Sequence, residues 1–286
     1  MRILETASGP VEIGVRGSGP AVIVVHGRGF GSSWRNYEWI AGDLDGFQVI
    51  TVSRPGYGHT PISSGESFDE QGQMLVGVLD ALNVGKAVMI GVSNGGPPVL
   101  SAVAAHPGRV RAVILACALA PHFHSKSPED QLALELDERE LKKEYEQLRE
   151  VMQRSIEDEE FARAVLNMTL TETEMERLEQ DPVIAEDLRS RALFTLEAPP
   201  GIDGVRNDRL QTQVSRTRQP SAFDTPLLVL HGDEDTTVRL AHAEFHAGLN
   251  PSSKLEMFAG GSHVFLTTFR SEVMPPIKRF LNELEG

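Results

Sequence analysis

Val88-Met89-Ile90-Gly91-Val92-Ser93-Asn94-Gly95-Gly96 reads as the end of a β-strand, a turn centred on serine, and the start of a helix. A turn that tight forces its central residue into a strained backbone, and a Cβ two residues to either side would clash across it. Gly91 and Gly95 occupy those two positions. Pro97 and Pro98 fall in the first helical turn, where backbone N–H groups have no intrahelical acceptor, so neither does harm. The reading leaves Ser93 Oγ exposed above the edge of a sheet as a candidate nucleophile. Gly-x-Ser-x-Gly alone marks many turns; a strand before it and a helix after it give it chemical meaning.

Outward from this turn, short β-branched runs at 11–15, 21–26, 47–53, 87–92 and 110–116 alternate with helical periods. The later runs are continuously apolar, as buried parallel strands are. The clearest helix is expected at 68–82, with Leu75, Val78, Leu79 and Leu82 on one face and Ser67 and Glu70 forming a capping box. From 121 to 222 the strand signal disappears. Leu141, Tyr145, Leu148 and Met152 stripe a highly charged helix, and shorter helices follow near 158–168, 172–180 and 183–193. Strands resume at 227–231 and 254–258 around a helix near 240–249, and a terminal helix carries Val273, Ile277, Phe280 and Leu284. The expected architecture is α/β, with a core domain from 1–120 and 223–286 interrupted by a helical insertion, 121–222.

Composition narrows the class. The 286 residues carry 27 Lys+Arg against 41 Asp+Glu, a net charge of −14, which argues against nucleic acid or anionic membranes as partners. Residues 128–197 alone hold 21 acidic and 9 basic residues, so the insertion is a separate compositional unit with a solvated acidic face. The longest apolar run, 112–120, is far short of the ~20 residues a membrane helix needs. MRILETASGP at the start has no signal-peptide apolar core, and a cytoplasmic protein is expected. Cys117 has no cysteine partner and reads as a small buried hydrophobe rather than a nucleophile or zinc ligand. The oligomeric state is left open.

A serine hydroxyl needs a base within hydrogen-bond reach and an acid to orient that base. His263 stands in Gly260-Gly261-Ser262-His263-Val264-Phe265, a loop after the last strand. The acid comes from the loop after 227–231, which contains Asp233 and Asp235. Asp233 follows the strand so closely that its short carboxylate is expected to bond backbone N–H groups, whereas Asp235 reaches further toward His263. His242 and His246 are four apart on a helix, but Glu244 is one place off the HExxH pattern and a third ligand is missing, so a surface helix without metal is expected. The glycines from 27 to 31 lack the Lys-Ser/Thr of a phosphate-binding loop.

His26-Gly27-Arg28-Gly29, Ser53-Arg54-Pro55-Gly56-Tyr57-Gly58-His59-Thr60, Gly91 to Gly95, His231 to Asp235 and the His263 loop together resemble the α/β-hydrolase superfamily over nearly the whole chain. The resemblance implies a mostly parallel α/β-hydrolase sheet with an inserted helical cap. It places Asp235 at the acid position of the family's HG-x-x-D pattern, with Ser93 and His263 completing the triad. It assigns the oxyanion hole to backbone N–H groups of Arg28, with Gly29, and Asn94. Gly29, Trp34 and His122 are expected to contact substrate.

Epoxide hydrolases and haloalkane dehalogenases of this fold use an aspartate nucleophile, which Ser93 excludes. The loop 26–34 is similar to that of carbon-carbon bond hydrolases acting on ring-cleavage products, yet Val264 stands where those carry tryptophan. Proline iminopeptidases share an acidic helical cap but differ in the HG loop. The expectation is a carboxylesterase-like serine hydrolase acting on a small molecule, with no cofactor and no metal. The alternatives are a carbon-carbon bond hydrolase or aminopeptidase of the same fold, or a noncatalytic binding protein.

Overall fold

The computed structural model describes residues 2–120, 138–214 and 223–284. Eight strands, β1 (Arg2–Thr6), β2 (Gly9–Arg16), β3 (Ala21–Val25), β4 (Gln48–Val52), β5 (Ala87–Val92), β6 (Val110–Ala116), β7 (Leu227–Gly232) and β8 (Lys254–Phe258), form one sheet in the order β1-β2-β4-β3-β5-β6-β7-β8. β2 runs antiparallel to β1 and β4, and β3 to β8 are parallel, so the ends of β3, β5, β6, β7 and β8 open at one edge. β1 was not expected from the sequence, because a half-exposed edge strand with Arg2 and Glu5 has no apolar alternation to display.

Strand alternation divides the core. Ile23, Val25 and Met89 face α2 (Phe68–Ala81) and α3 (Gly96–Ala105), while Val22, Val24 and Ile90 face α1 (Glu38–Asp43) and the terminal helix. The expected capping box at α2 is formed, with Ser67 accepting from Glu70 N and Glu70 from Ser67 N.

Residues 138–214 are helical: α4 (Glu138–Glu157), α5 (Glu159–Thr169), α6 (Glu172–Gln180), α7 (Pro182–Glu197) and α8 (Ile202–Val214). α8 was not foreseen because its buried residues include Asn207, Asp208 and Thr212, which give no apolar period. This segment bonds to loops at the carboxyl edge of the sheet: Gly31 N donates to Pro200 O and Gly204 N to Gly56 O. Beyond β7 come α9 (Leu240–Ala247), then a short turn α10 (Phe265–Thr268) and α11 (Arg270–Glu283). Among the described residues no helix is long and apolar enough to cross a membrane.

Candidate active site

Ser93 follows β5 directly, with a φ of 51°. That left-handed conformation costs an L-residue ~1–2 kcal/mol, and the packing around it must hold it there. Both flanking glycines are obligatory, for different reasons. A Cβ on Gly91 would lie 2.8 Å from Gly95 O, across the turn; one on Gly95 would lie 2.3 Å from Val25 O, at the end of β3. Ser93 is 9% exposed rather than open to solvent, because Gly27 approaches its Cβ and α8 reaches over the turn through a Thr212–Asn94 side-chain bond.

Folding brings His263 and Asp235 to this serine. His263 Nε2 lies 3.1 Å from Ser93 Oγ, and its Nδ1 lies 2.7 Å from Asp235 Oδ2. An ionised carboxylate only accepts, so Nδ1 carries the proton and Nε2 is left to accept from the serine. Asp235 Oδ1 accepts from Thr237 N and Val238 N, both at 2.8 Å, which fixes the carboxylate. Asp233 points elsewhere, to Gly260 N at 2.6 Å, and braces the loop that carries His263.

The loop after β3 has its own fastening. Arg54 N donates to His26 Nε2 at 2.9 Å; since that nitrogen must accept, Nδ1 is protonated and donates to Gly27 O at 2.7 Å. Burial, then the Arg54 charge, push the His26 ring down to about 3, so it stays neutral. The ring thus holds Gly27 against Ser93, where a Cβ would come 2.8 Å from the serine Cβ. Arg28 follows, exposed, and Gly29 is half-buried at the start of a turn closed by Ser32 N. Asn94 N belongs to the first turn after β5 and has no intrahelical acceptor.

The other residues singled out by the sequence fall in different places. Trp34 packs its indole over Gly14 of β2, where a Cβ would come 2.3 Å from the ring, and β4 and β3 separate β2 from β5. His242 and His246 lie on a buried face, not a surface one: Ala120 N donates to His242 Nδ1, and His246 Nε2 meets Ala118 O. They satisfy backbone groups of the chain as it leaves β6. His122 and the neighbouring His124 lie outside the described residues.

Sequence reasoning missed a buried ion pair. Arg54, fully buried, forms a two-pronged bridge to Asp208 of α8, and Tyr57 Oη donates to the same carboxylate at 2.7 Å. The pair ties the helical segment to the Arg54 backbone that holds His26. Asp208→Ala leaves a buried guanidinium unpaired, at a cost of ~3–5 kcal/mol. The expected thermal midpoint is roughly 10 °C lower, measured by calorimetry. An unchanged midpoint would show that the pair does not hold the segment down.

Cys117 is buried as expected, but it is more than filler. Its φ is 39°, and its Sγ lies 3.8 Å from His263 O. Sγ and ligand atoms of Asp235 and His263 lie within 4.8 Å of one another, a donor set of the kind zinc takes. Those donors are already spent, since Asp235 holds two backbone N–H groups and the His263 proton. Burial opposes charge on His263, but the Cys117 sulfur and the Asp235 carboxylate outweigh it and hold the ring above its ordinary 6.5. Burial likewise works against the Asp235 carboxylate, and the bond from His263 still holds it below its usual range.

A base must be neutral to take a proton, so any turnover that uses His263 is expected to fall as pH drops through a midpoint above 6.5. A kcat/KM profile with its acid limb at or below 6.5 would contradict this. The linked stabilisation from protonated His263 has the opposite sense: full below pH 6.5, and lost as pH rises through the folded value.

A cleft lined by Arg35, Trp39, Asp187, Arg191, Phe194 and Arg270 lies between α1 and α7, and neither Ser93 nor His263 lines it. The reactive groups themselves are the better marker of the site.

The chain is 32% identical over 111 residues to the uncharacterized hydrolase YcgS of Bacillus subtilis, a match spanning 39% of each chain. It is 36% identical over 107 residues to a 2-hydroxy-6-oxo-6-phenylhexa-2,4-dienoate hydrolase of Burkholderia cepacia, covering 35% of this chain and 36% of that one. The matched stretch thus spans under half the length of these curated relatives. The solved structure of an alpha/beta hydrolase fold protein from Nakamurella multipartita superposes with a TM-score of 0.72 at 26% identity, over 99% of this chain and 98% of that one. A family profile described as alpha/beta hydrolase fold matches residues 20–268, and the chain belongs to that family.

Proposed function

We propose that the protein is a serine hydrolase that cleaves an ester or similarly activated acyl bond of a small-molecule substrate. The observation that carries the reading is the His263 ring bridging Ser93 Oγ at 3.1 Å and Asp235 at 2.7 Å. Neutral His263 takes the serine proton through Nε2 as Oγ bonds to the substrate carbonyl carbon. Negative charge gathers on the carbonyl oxygen, where backbone N–H groups of Arg28 and Asn94 stabilise it, with Gly29 shaping the loop. The tetrahedral centre collapses, the leaving group departs with the proton from His263, and an acyl-enzyme remains. Water then gives a proton to His263, attacks the acyl carbon, and releases the acid and Ser93. Asp235 stays ionised and fixes the tautomer throughout. This chemistry requires no cofactor.

Residues 121–222 act in this reading as a cap that selects substrates, and the Asn94–Thr212 bond supports such proximity. His122 remains a proposed substrate contact. The charge of −14 supports a small solute over nucleic acid as the partner.

A second reading, carbon-carbon bond hydrolysis of a vinylogous diketone, is favoured by the name of the Burkholderia cepacia relative. A panel of short acyl esters, lactones, amides and vinylogous diketones, combined with mass spectrometry after a serine-directed phosphonate, separates the two. Ester turnover with the label on Ser93 is expected. Diketone turnover without ester turnover would transfer the assignment, and a folded protein inert toward the panel and the phosphonate would point to binding without catalysis.

A further inference from the structure

The loop that carries His263 is held from both sides. On the sheet side, Asp233 binds Gly260 N and Phe258 O accepts from Gly261 N. On the other side stands α6, a helix of the inserted segment. Its Glu174 is fully buried, and Glu174 Oε1 accepts from Ser262 N at 3.0 Å and from Thr268 Oγ1 at 2.7 Å. Glu174 Oε2 accepts from Thr171 N at 3.2 Å, while Thr171 Oγ1 donates to Gly260 O. Packing repeats the message: Gly260 has a φ of 76°, and a Cβ there would come 2.4 Å from Thr173 Oγ1.

A buried carboxylate is costly unless its oxygens are satisfied. A helix N-terminus needs only one of them, for its capping box. Glu174 fills that local role with Oε2 and spends Oε1 on a residue adjacent to His263, 88 positions away in sequence. A surface Glu or Gln would cap the helix equally well, so burial here serves the loop.

We infer that Glu174 is a positioning residue for His263: the inserted segment helps mount the catalytic base and does more than cover the substrate. The inference rests on the serine-hydrolase reading above. Ser262 N bonded to Glu174 and Gly260 held by Thr171 and Asp233 leave the loop little freedom to rotate His263 away from Ser93. Charged and titratable groups around the ring are Asp235, Cys117 and His231, so Glu174 acts on an imidazole that already has its partner acid.

The test compares Glu174→Ala, Glu174→Gln and Arg177→Ala with wild type, using ester kcat and KM, the rate of Ser93 phosphonylation, and thermal midpoint. Misplacing a catalytic group by about 1 Å costs ~10²-fold, so Glu174→Ala is expected to lower kcat and phosphonylation together by about 10- to 100-fold with KM little changed. Glu174→Gln keeps one carbonyl acceptor for Ser262 N and is expected to recover much of the rate. Arg177→Ala loosens the same helix, since Arg177 bonds Thr268 O, pairs with Glu272 and stacks on Phe269, yet it does not touch the 260–263 loop. It is expected to lower the midpoint with kcat unchanged. Equal phosphonylation of wild type and Glu174→Ala, or a glutamine variant as slow as the alanine one, would overturn the inference alone. A wild type that neither reacts with phosphonate nor turns over esters would take the serine-hydrolase reading down with it.

Discussion

Ser93→Ala is expected to lower ester turnover by about 10⁶-fold while leaving the protein folded. The loss is near-complete because the remaining groups have no attacking atom to act on: His263 loses its proton donor, and the proposed oxyanion donors can only assist slow attack by water. Folding should survive. The strain at position 93 comes from a Cβ in the left-handed region, which alanine shares, and the enforcing glycines are untouched. Measured kcat, phosphonate incorporation and thermal midpoint on one preparation check this: no label, turnover at background, and a midpoint within a few degrees of wild type. Undiminished turnover would remove Ser93 from the mechanism.

Asp235→Asn is expected to reduce turnover by about 10⁴-fold with little loss of stability, and the mechanism is a tautomer error. Thr237 N and Val238 N both need an acceptor and both use Oδ1. An amide there keeps its oxygen on those two donors and turns its NH₂ toward His263 Nδ1. That nitrogen must then accept, so the ring proton moves to Nε2, which faces Ser93 Oγ at 3.1 Å and can no longer take the serine proton. Asp233→Asn should behave differently. Its carbonyl can still accept from Gly260 N, so only the charge assistance is lost, and a modest loss of stability, on the order of 1 kcal/mol and seen as a midpoint a few degrees lower, is expected with most turnover retained. Turnover and midpoint for both variants decide the matter; the reverse pattern would transfer the acid's role to Asp233.

The residues that read correctly from sequence are those whose local sterics leave a mark in order. Ser93 is such a case on its Gly91 side, where a Cβ meets Gly95 O across the turn itself; the Gly95 side is set by the neighbouring strand, whose Val25 O a Cβ would meet. The α2 capping box and the buried parallel strands are likewise periodic or near-neighbour features. Asp235 and His263 were legible because each sits at a strand end, and parallel strands deliver their carboxyl ends to a common edge.

Elsewhere local logic ran out. Trp34 and the His242–His246 pair looked available by residue type, and only packing showed one ring seated on Gly14 and the other two turned inward to the chain beyond β6. By itself, then, the sequence determined the buried parallel strands, the serine turn and the three groups that meet there, because strand periodicity and the turn's own sterics are written locally, whereas the half-exposed edge strand β1 left no such mark. Only the tertiary structure decided that Asp208 would neutralise Arg54, that His26 would hold Gly27 to the serine, and that Glu174 would brace the His263 loop. Each depends on a polar contact between distant parts of the chain, across 154 positions for Arg54 and Asp208, 28 for His26 and Arg54, and 88 for Glu174 and Ser262, distances over which no periodicity or motif carries the signal.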